Sequence, residues 1–250
     1  MQVYFTLVRR ELGGYFSSLT GYIIIAAVLL LLGLSFVEVL TKLNAAPTDA
    51  PITEIFFVTF YFWIILLLTA PVMTMRTFAL ERFSGTYETL MTAPVGDLAV
   101  VMSKFTGALV FYILTWLPFL GYILLVQRFA TGGFVFDPYI LGSTFLGLLL
   151  IGALYMAIGC FASALTNSQI VAAILSYALG LALFVLSLRS FMSEPGSSVA
   201  GKFFEYIAMT EHMENFARGV IDTRPLVLYP SLTVLFLFLT LKVVQSRRWR

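Results

Sequence analysis

Six stretches of predominantly apolar residues recur along the chain, at 21–40, 55–75, 105–126, 139–165, 170–188 and 226–244. Crossing a hydrocarbon layer roughly 30 Å thick takes about 20 such residues in a helix. A backbone in lipid must satisfy its own polar groups, so each stretch is predicted to be a transmembrane helix. Pro71 and Pro118 fall inside the second and third helices, where a kink is tolerated if neighbours re-satisfy the freed carbonyl groups. Glu38 sits at the outer end of the first, and Pro230 and Lys242 flank the last.

The first 18 residues follow another pattern. Val3, Tyr4, Leu7, Val8, Leu12, Tyr15 and Phe16 recur at spacings of three and four, with Gln2, Arg9, Arg10, Gly13 and Ser17 elsewhere on the wheel. This predicts an amphipathic helix over 1–18 that lies in the membrane interface. Arg9, Arg10 and Glu11 interrupt what would be the apolar part of a cleavable signal. Phe203, Phe204, Ile207, Met213, Phe216, Ala217 and Val220 keep helical spacing in the long polar segment 189–225, which predicts short outer helices there. The whole chain, 1–250, reads as one all-α membrane domain.

Composition agrees with lipid as the main solvent. Hydrophobic residues make up 60% of the 250 positions and charged residues 11%, and the mean hydropathy is +0.96. Soluble domains carry roughly 25% charged residues. The net charge of +2 gives no basis for a nucleic-acid partner. Six crossings put both termini on one side, with the segments bearing Arg9, Arg10, Arg76, Arg82, Lys104, Lys242, Arg247, Arg248 and Arg250 but only Glu11, Glu81, Glu88 and Asp97. Basic loops stay inside, so both termini are predicted to be cytoplasmic. Cys160 and His212 stand alone in their residue types, which excludes an internal disulfide and a cysteine- or histidine-cluster metal site.

No Asp, Glu, Lys, Arg or His lies in the central part of any predicted span. Ion-coupled carriers handle charge near the midplane with such groups, so that class is disfavoured. The run Gly196-Ser197-Ser198-Val199-Ala200-Gly201-Lys202 imitates a phosphate loop. Phe203 stands where the magnesium-binding Ser or Thr belongs, and the segment is predicted to be extracytoplasmic, so it is read as a turn. The small residues Gly147, Gly152, Ala153, Ala157, Gly159, Ser163, Ala172, Ala173, Ser176 and Gly180 suit close helix packing.

The sharpest pattern lies in the cytoplasmic segment 76–104. Phe78, Ala79, Glu81, Arg82, Gly85, Thr86, Glu88, Leu90, Thr92, Pro94 and Val95 fall at the spacing F-A-x-E-R-x-x-G-T-x-E-x-L-x-T-x-P-V. That segment resembles the one linking the second and third helices of ABC-2 type permeases. The resemblance continues through Ser163 to Ala172 and His212 to Arg224, and is similar to the gliding-motility-associated branch. Pro225 departs from it, where an acid is expected.

The resemblance implies a six-helix exporter subunit of the ABC-2 or type V kind in a bacterial inner membrane, with an N-terminal interfacial helix and a cytoplasmic coupling helix. Its expected partners are cytoplasmic ABC ATPase subunits, a second permease subunit of the same sequence, membrane lipid, and an extracytoplasmic auxiliary protein. ATP would be bound by the ATPase, leaving this chain without a cofactor, a metal or a catalytic residue. Glu81, Arg82, Gly85, Thr86, Glu88, Leu90, Thr92 and Pro94 are then the expected ATPase-coupling residues. Opposite charges at Glu81 and Arg82 are expected to bond each other or the docked partner, and Gly85 to supply a backbone angle closed to β-branched residues. The alternative reading is an ATP-driven mechanotransmitter or scaffold that acts on an extracytoplasmic partner without moving a substrate.

Overall fold

The computed structural model describes residues 2–45, 51–86, 95–129, 137–189 and 204–248, and in them every regular element is helical. In chain order these are α1 (Gln2–Phe16), α2 (Leu19–Ala45), α3 (Ile52–Val58), α4 (Tyr61–Thr74), α5 (Ala79–Phe83), α6 (Asp97–Phe129), α7 (Pro138–Leu165), α8 (Gln169–Leu188), α9 (Met209–Ala217) and α10 (Thr223–Arg248). Six of the described helices or helix runs are long and apolar enough to cross a membrane: Leu19–Ala45, Tyr61–Phe83, Asp97–Arg128, Pro138–Leu165, Gln169–Leu188 and Thr223–Ser246. The protein is therefore an all-α, multi-pass membrane protein.

Helix α7 is the axis of the bundle and touches α4, α6, α8, α9 and α10. Its small residues make that possible. A Cβ on Gly152 would lie 2.1 Å from the Tyr112 ring, and one on Gly159 2.0 Å from Thr74 Oγ1. No side chain fits at either place, so α6 and α4 approach through glycine. The outer helices show lipid-compatible faces instead: Ile23, Leu30 and Val37 of α2, Ile174 of α8, and Val234 and Phe238 of α10 are exposed. Hydroxyls inside the helices are met locally, as where Thr69 donates to the Ile65 carbonyl at 2.6 Å and Thr115 to that of Tyr112 at 2.7 Å.

Three features differ from the pattern read along the chain. The expected single helix at 55–75 is two helices, parted at Thr59, whose backbone is extended (φ −72°, ψ 150°). Around the break Phe56, Phe57, Phe62, Trp116 and Phe119 form a buried aromatic cluster with ring centroids 4.4 to 6.5 Å apart. Helix α6 begins at Asp97, eight residues before the expected 105, and so takes Lys104 into its interior. Helix α1 lies along α6 as well as α2, with Tyr15 stacked on Phe111 at 4.5 Å. Its packed face is protein-bound, while Val3, Phe5 and Phe16 remain exposed.

Candidate functional site

The short helix α5 opens the segment between the second and third spans, and it lacks the means to cap itself. Its N-cap residue is Phe78, which carries no acceptor. The missing acceptor comes from α7. Ser163 Oγ accepts from the backbone N–H groups of both Phe78 and Ala79 at 3.0 Å and donates to the Met75 carbonyl at 3.1 Å. Phe78 and Ala79 are fully buried. One residue of the opposite helix thus satisfies three backbone groups in the turn that leads into α5.

The other end of α5 closes on Gly85, which holds φ at +73°, in the left-handed region. Gly85 N–H donates to the Arg82 carbonyl at 3.3 Å, and Thr86 Oγ1 donates to the Glu81 carbonyl at 3.4 Å. A Cβ added to Gly85 would meet nothing within 4 Å. The glycine is therefore required by its dihedral angle and not by crowding.

Between these ends Glu81 enters a closed ring of four charges. Lys104 Nζ lies 2.9 Å from Glu81 and 3.1 Å from Glu11, while Arg10 Nη2 lies 2.8 Å from Glu81 and 3.0 Å from Glu11. Each acid touches both bases. The Lys104 side chain is 1% exposed, against 16% for Glu11, 18% for Glu81 and 49% for Arg10. Lys104 is also centred 5.3 Å over the Phe78 ring. Burial of Arg10 acts to lower its pKa, but the hydrogen bond and charge of Glu11, and then those of Glu81, outweigh it and raise the value. The ring joins α1, α5 and α6.

Arg82 points the other way. Its Nη1 donates to the Ala164 carbonyl in the last turn of α7, where a cation complements the helix dipole. Glu81 and Arg82 are thus engaged with three other helices of the same chain, α1, α6 and α7. The segment around them packs on the membrane domain instead of standing clear of it.

Four of the residues expected to couple to an ATPase, Glu81, Arg82, Gly85 and Thr86, lie in this junction. Glu88, Leu90, Thr92 and Pro94 lie outside the described residues, as does the phosphate-loop look-alike ending at Lys202. Glu11, Lys104 and Ser163 complete the junction and were not among the expected coupling residues. The sequence did carry one signal for Glu11. It shares the packed face of α1 with Tyr4, Leu7, Val8, Leu12 and Tyr15, and an acid on an apolar face calls for an internal cation.

A second polar knot lies at the opposite end of the bundle. Ser143 Oγ donates to the Phe216 carbonyl and Thr53 Oγ1 to that of Ala217, both at 2.7 Å, closing the C-terminus of α9. Arg218 pairs with Glu54 at 2.8 Å. Gly219 (φ +87°) lets the Val220 N–H reach the Asn215 carbonyl at 2.8 Å. His212 is buried, with Nδ1 3.1 Å from the Tyr229 hydroxyl. That burial, with a smaller push from Arg224 and against the pull of Asp222, lowers its pKa to about 4. Among the described residues no group of His, Cys, Asp or Glu is arranged to hold a metal.

A family model described as "ABC-2 family transporter protein" matches residues 37–241, which span about four-fifths of the chain and include α5, Lys104, Ser163 and the α9 knot, but not Arg10 and Glu11 of α1. No curated protein matches.

Proposed function

We propose, starting from the fact that the chain belongs to the ABC-2 family of transporter proteins, that α5 and the residues after it receive the movement of a cytoplasmic ATPase. The chain is a permease component of an ABC transporter, and the chemistry of nucleotide hydrolysis belongs to a separate subunit. Export is the direction favoured by the resemblance of 76–104 to exporter permeases. The end that bears α1 and α5 faces the cytoplasm of an inner membrane in this reading, in keeping with the basic bias of its segments. Two copies of the chain would form the membrane unit.

The observation that carries the reading is the anchoring of α5. A loop helix that merely bridged two spans would not need its first turn bonded to α7, its acid paired with α1 and α6, and its arginine on the end of α7. A push on α5 is passed to three membrane-domain helices at once, which a mechanical input requires. ATP, as the ligand of the ATPase, shifts the equilibrium between access states only by binding them with different affinity.

Gly85→Val tests it. A Cβ at position 85 meets nothing within 4 Å, but the substitution forces a β-branched residue to φ +73°, which costs about 1–2 kcal/mol or more. The expected result is a permease that inserts normally and melts about 2–8 °C below wild type, still folded at the assay temperature. Capture of the partner ATPase, and its stimulation by the permease, should fall several-fold in reconstituted membranes. Wild-type capture and turnover in correctly inserted Gly85→Val would rule out α5 as the coupling element.

A further inference from the structure

We propose that a cavity beside the α1–α2 turn is a binding site for a phosphate-bearing anion, with Arg76 as its cation. The cavity has a volume of about 290 Å³, lies between α1, the start of α2 and the end of α4, and contains Arg76 in its wall. This is the small end of the range for ligand sites, roughly 300–1,000 Å³. It suits a phosphate or a phospholipid headgroup and not a larger molecule.

The charge in the wall is one-sided. Among the described residues no carboxylate lies within ion-pairing distance of Arg76, whose hydrogen-bond partner is the neutral Thr20 hydroxyl, 2.9 Å from Nη1. A half-buried guanidinium has five N–H donors and keeps its charge at all ordinary pH values. Glu11 also borders the cavity, but its charge is answered by Arg10 and Lys104 at 3.0 and 3.1 Å. The net charge presented by the wall is therefore that of Arg76. Ser17 also lines the cavity and brings a hydroxyl, while Ile24 and Val72 line it with apolar groups. An arginine and hydroxyls next to aliphatic residues are the arrangement that an anionic amphiphile meets with headgroup and chain.

This inference does not depend on the ATPase reading, because lipid binding is measured without nucleotide. The full-length permease is placed in bilayer nanodiscs of phosphatidylcholine and phosphatidylglycerol in equal amounts, extracted, and the retained lipid is identified by mass spectrometry. The wild type should hold phosphatidylglycerol over phosphatidylcholine by about five-fold, the weight of one interfacial cation. Arg76→Gln should abolish that preference. Gly14→Leu should do so as well while leaving Arg76 in place, since Gly14 borders the cavity and a Cβ there meets nothing within 4 Å. It is the variant that separates loss of the site from loss of the fold. Arg9→Gln, an exposed change on α1, should leave the preference intact.

Calorimetry with inorganic phosphate identifies the source of the anion. Arg76-dependent heat with phosphate alone would support the site and assign it to a soluble anion. An Arg76-dependent lipid preference without such heat would support it and assign it to the headgroup. Equal retention of the two lipids together with no phosphate heat would overturn the proposal. So would a preference lost as fully in Arg9→Gln as in Arg76→Gln.

Discussion

Replacing Lys104 by Met is the most direct perturbation of the four-charge ring. Met keeps an unbranched apolar stem against Phe78 and removes only the ammonium. Glu11 and Glu81, 16% and 18% exposed, are then left to share Arg10, which is 49% exposed. Taking one member from a buried ion pair costs about 3–5 kcal/mol, chiefly through the charge left behind. The residual exposure of both carboxylates argues for the lower end, about 3 kcal/mol. For a chain of this size each kcal/mol shifts the melting temperature by about 2–4 °C, which sets the expected fall at about 6–12 °C. Thermal unfolding of the purified permease in detergent reads it directly. A second measurement separates the cause from general damage. Lys104→Met combined with Glu11→Gln and Glu81→Gln removes the stranded charges and should recover most of the loss. A single variant within about 1 °C of wild type, or a triple variant no better than the single, would refute the argument that Lys104 holds the ring together.

Four further outcomes are expected. Ser163→Ala strands the N–H groups of Phe78 and Ala79, so hydrogen exchange at those two amides should speed up and stability fall by about 1–3 kcal/mol. Gly21→Ala should destabilise strongly, because its Cβ would lie 2.0 Å from the Tyr15 carbonyl oxygen, whereas Gly142→Ala, with open space around it, should be neutral or better in the same melting assay. His212 is held neutral in the folded protein, so an unfolded chain with a pKa of 6.5 takes up its proton first as pH falls. Stability should therefore be full above pH 6.5, decline toward about pH 4 and level off below, and melting curves of His212→Asn should lack that decline. Glu54→Gln should leave Arg218 its bond to Glu214 at 2.5 Å and change the melting temperature by no more than a degree or two.

The six crossings were legible because length and apolar content are local properties, and a helix in lipid has no competing structure. The junction was only half legible. Glu81, Arg82, Gly85 and Thr86 stand in a compact segment whose spacing can be read directly. Their partners do not: Lys104 meets Glu11 across 93 positions and Ser163 meets Phe78 across 85. Ser163 read as one more small packing residue, since a hydroxyl that caps a foreign helix has the same sequence signature as one that bonds its own. Lys104 read as a loop cation because the apolar run begins one residue later. The break at Thr59 carries no Gly or Pro, and the aromatic cluster packed around it joins residues 56–62 to 116–119, a contact that no local pattern shows. Which side of the bilayer each end faces rests on the charge bias alone.

Helix α7 has a consequence as a lever. At about 1.5 Å per residue its 28 residues form a rod roughly 42 Å long, with proline at its first position and none further in. Ser163 and the Arg82 contact lie at one end; Ser143, gripping the Phe216 carbonyl, lies near the other. Gly152 sits close to midway, pressed against Tyr112. A rigid rod rotating by about 5° about that fulcrum swings each tip by about 2 Å, in opposite directions. A push delivered to α5 on one face of the membrane would thus reach α9 on the other as a reversed stroke of equal size, with no intermediate helix bending to carry it.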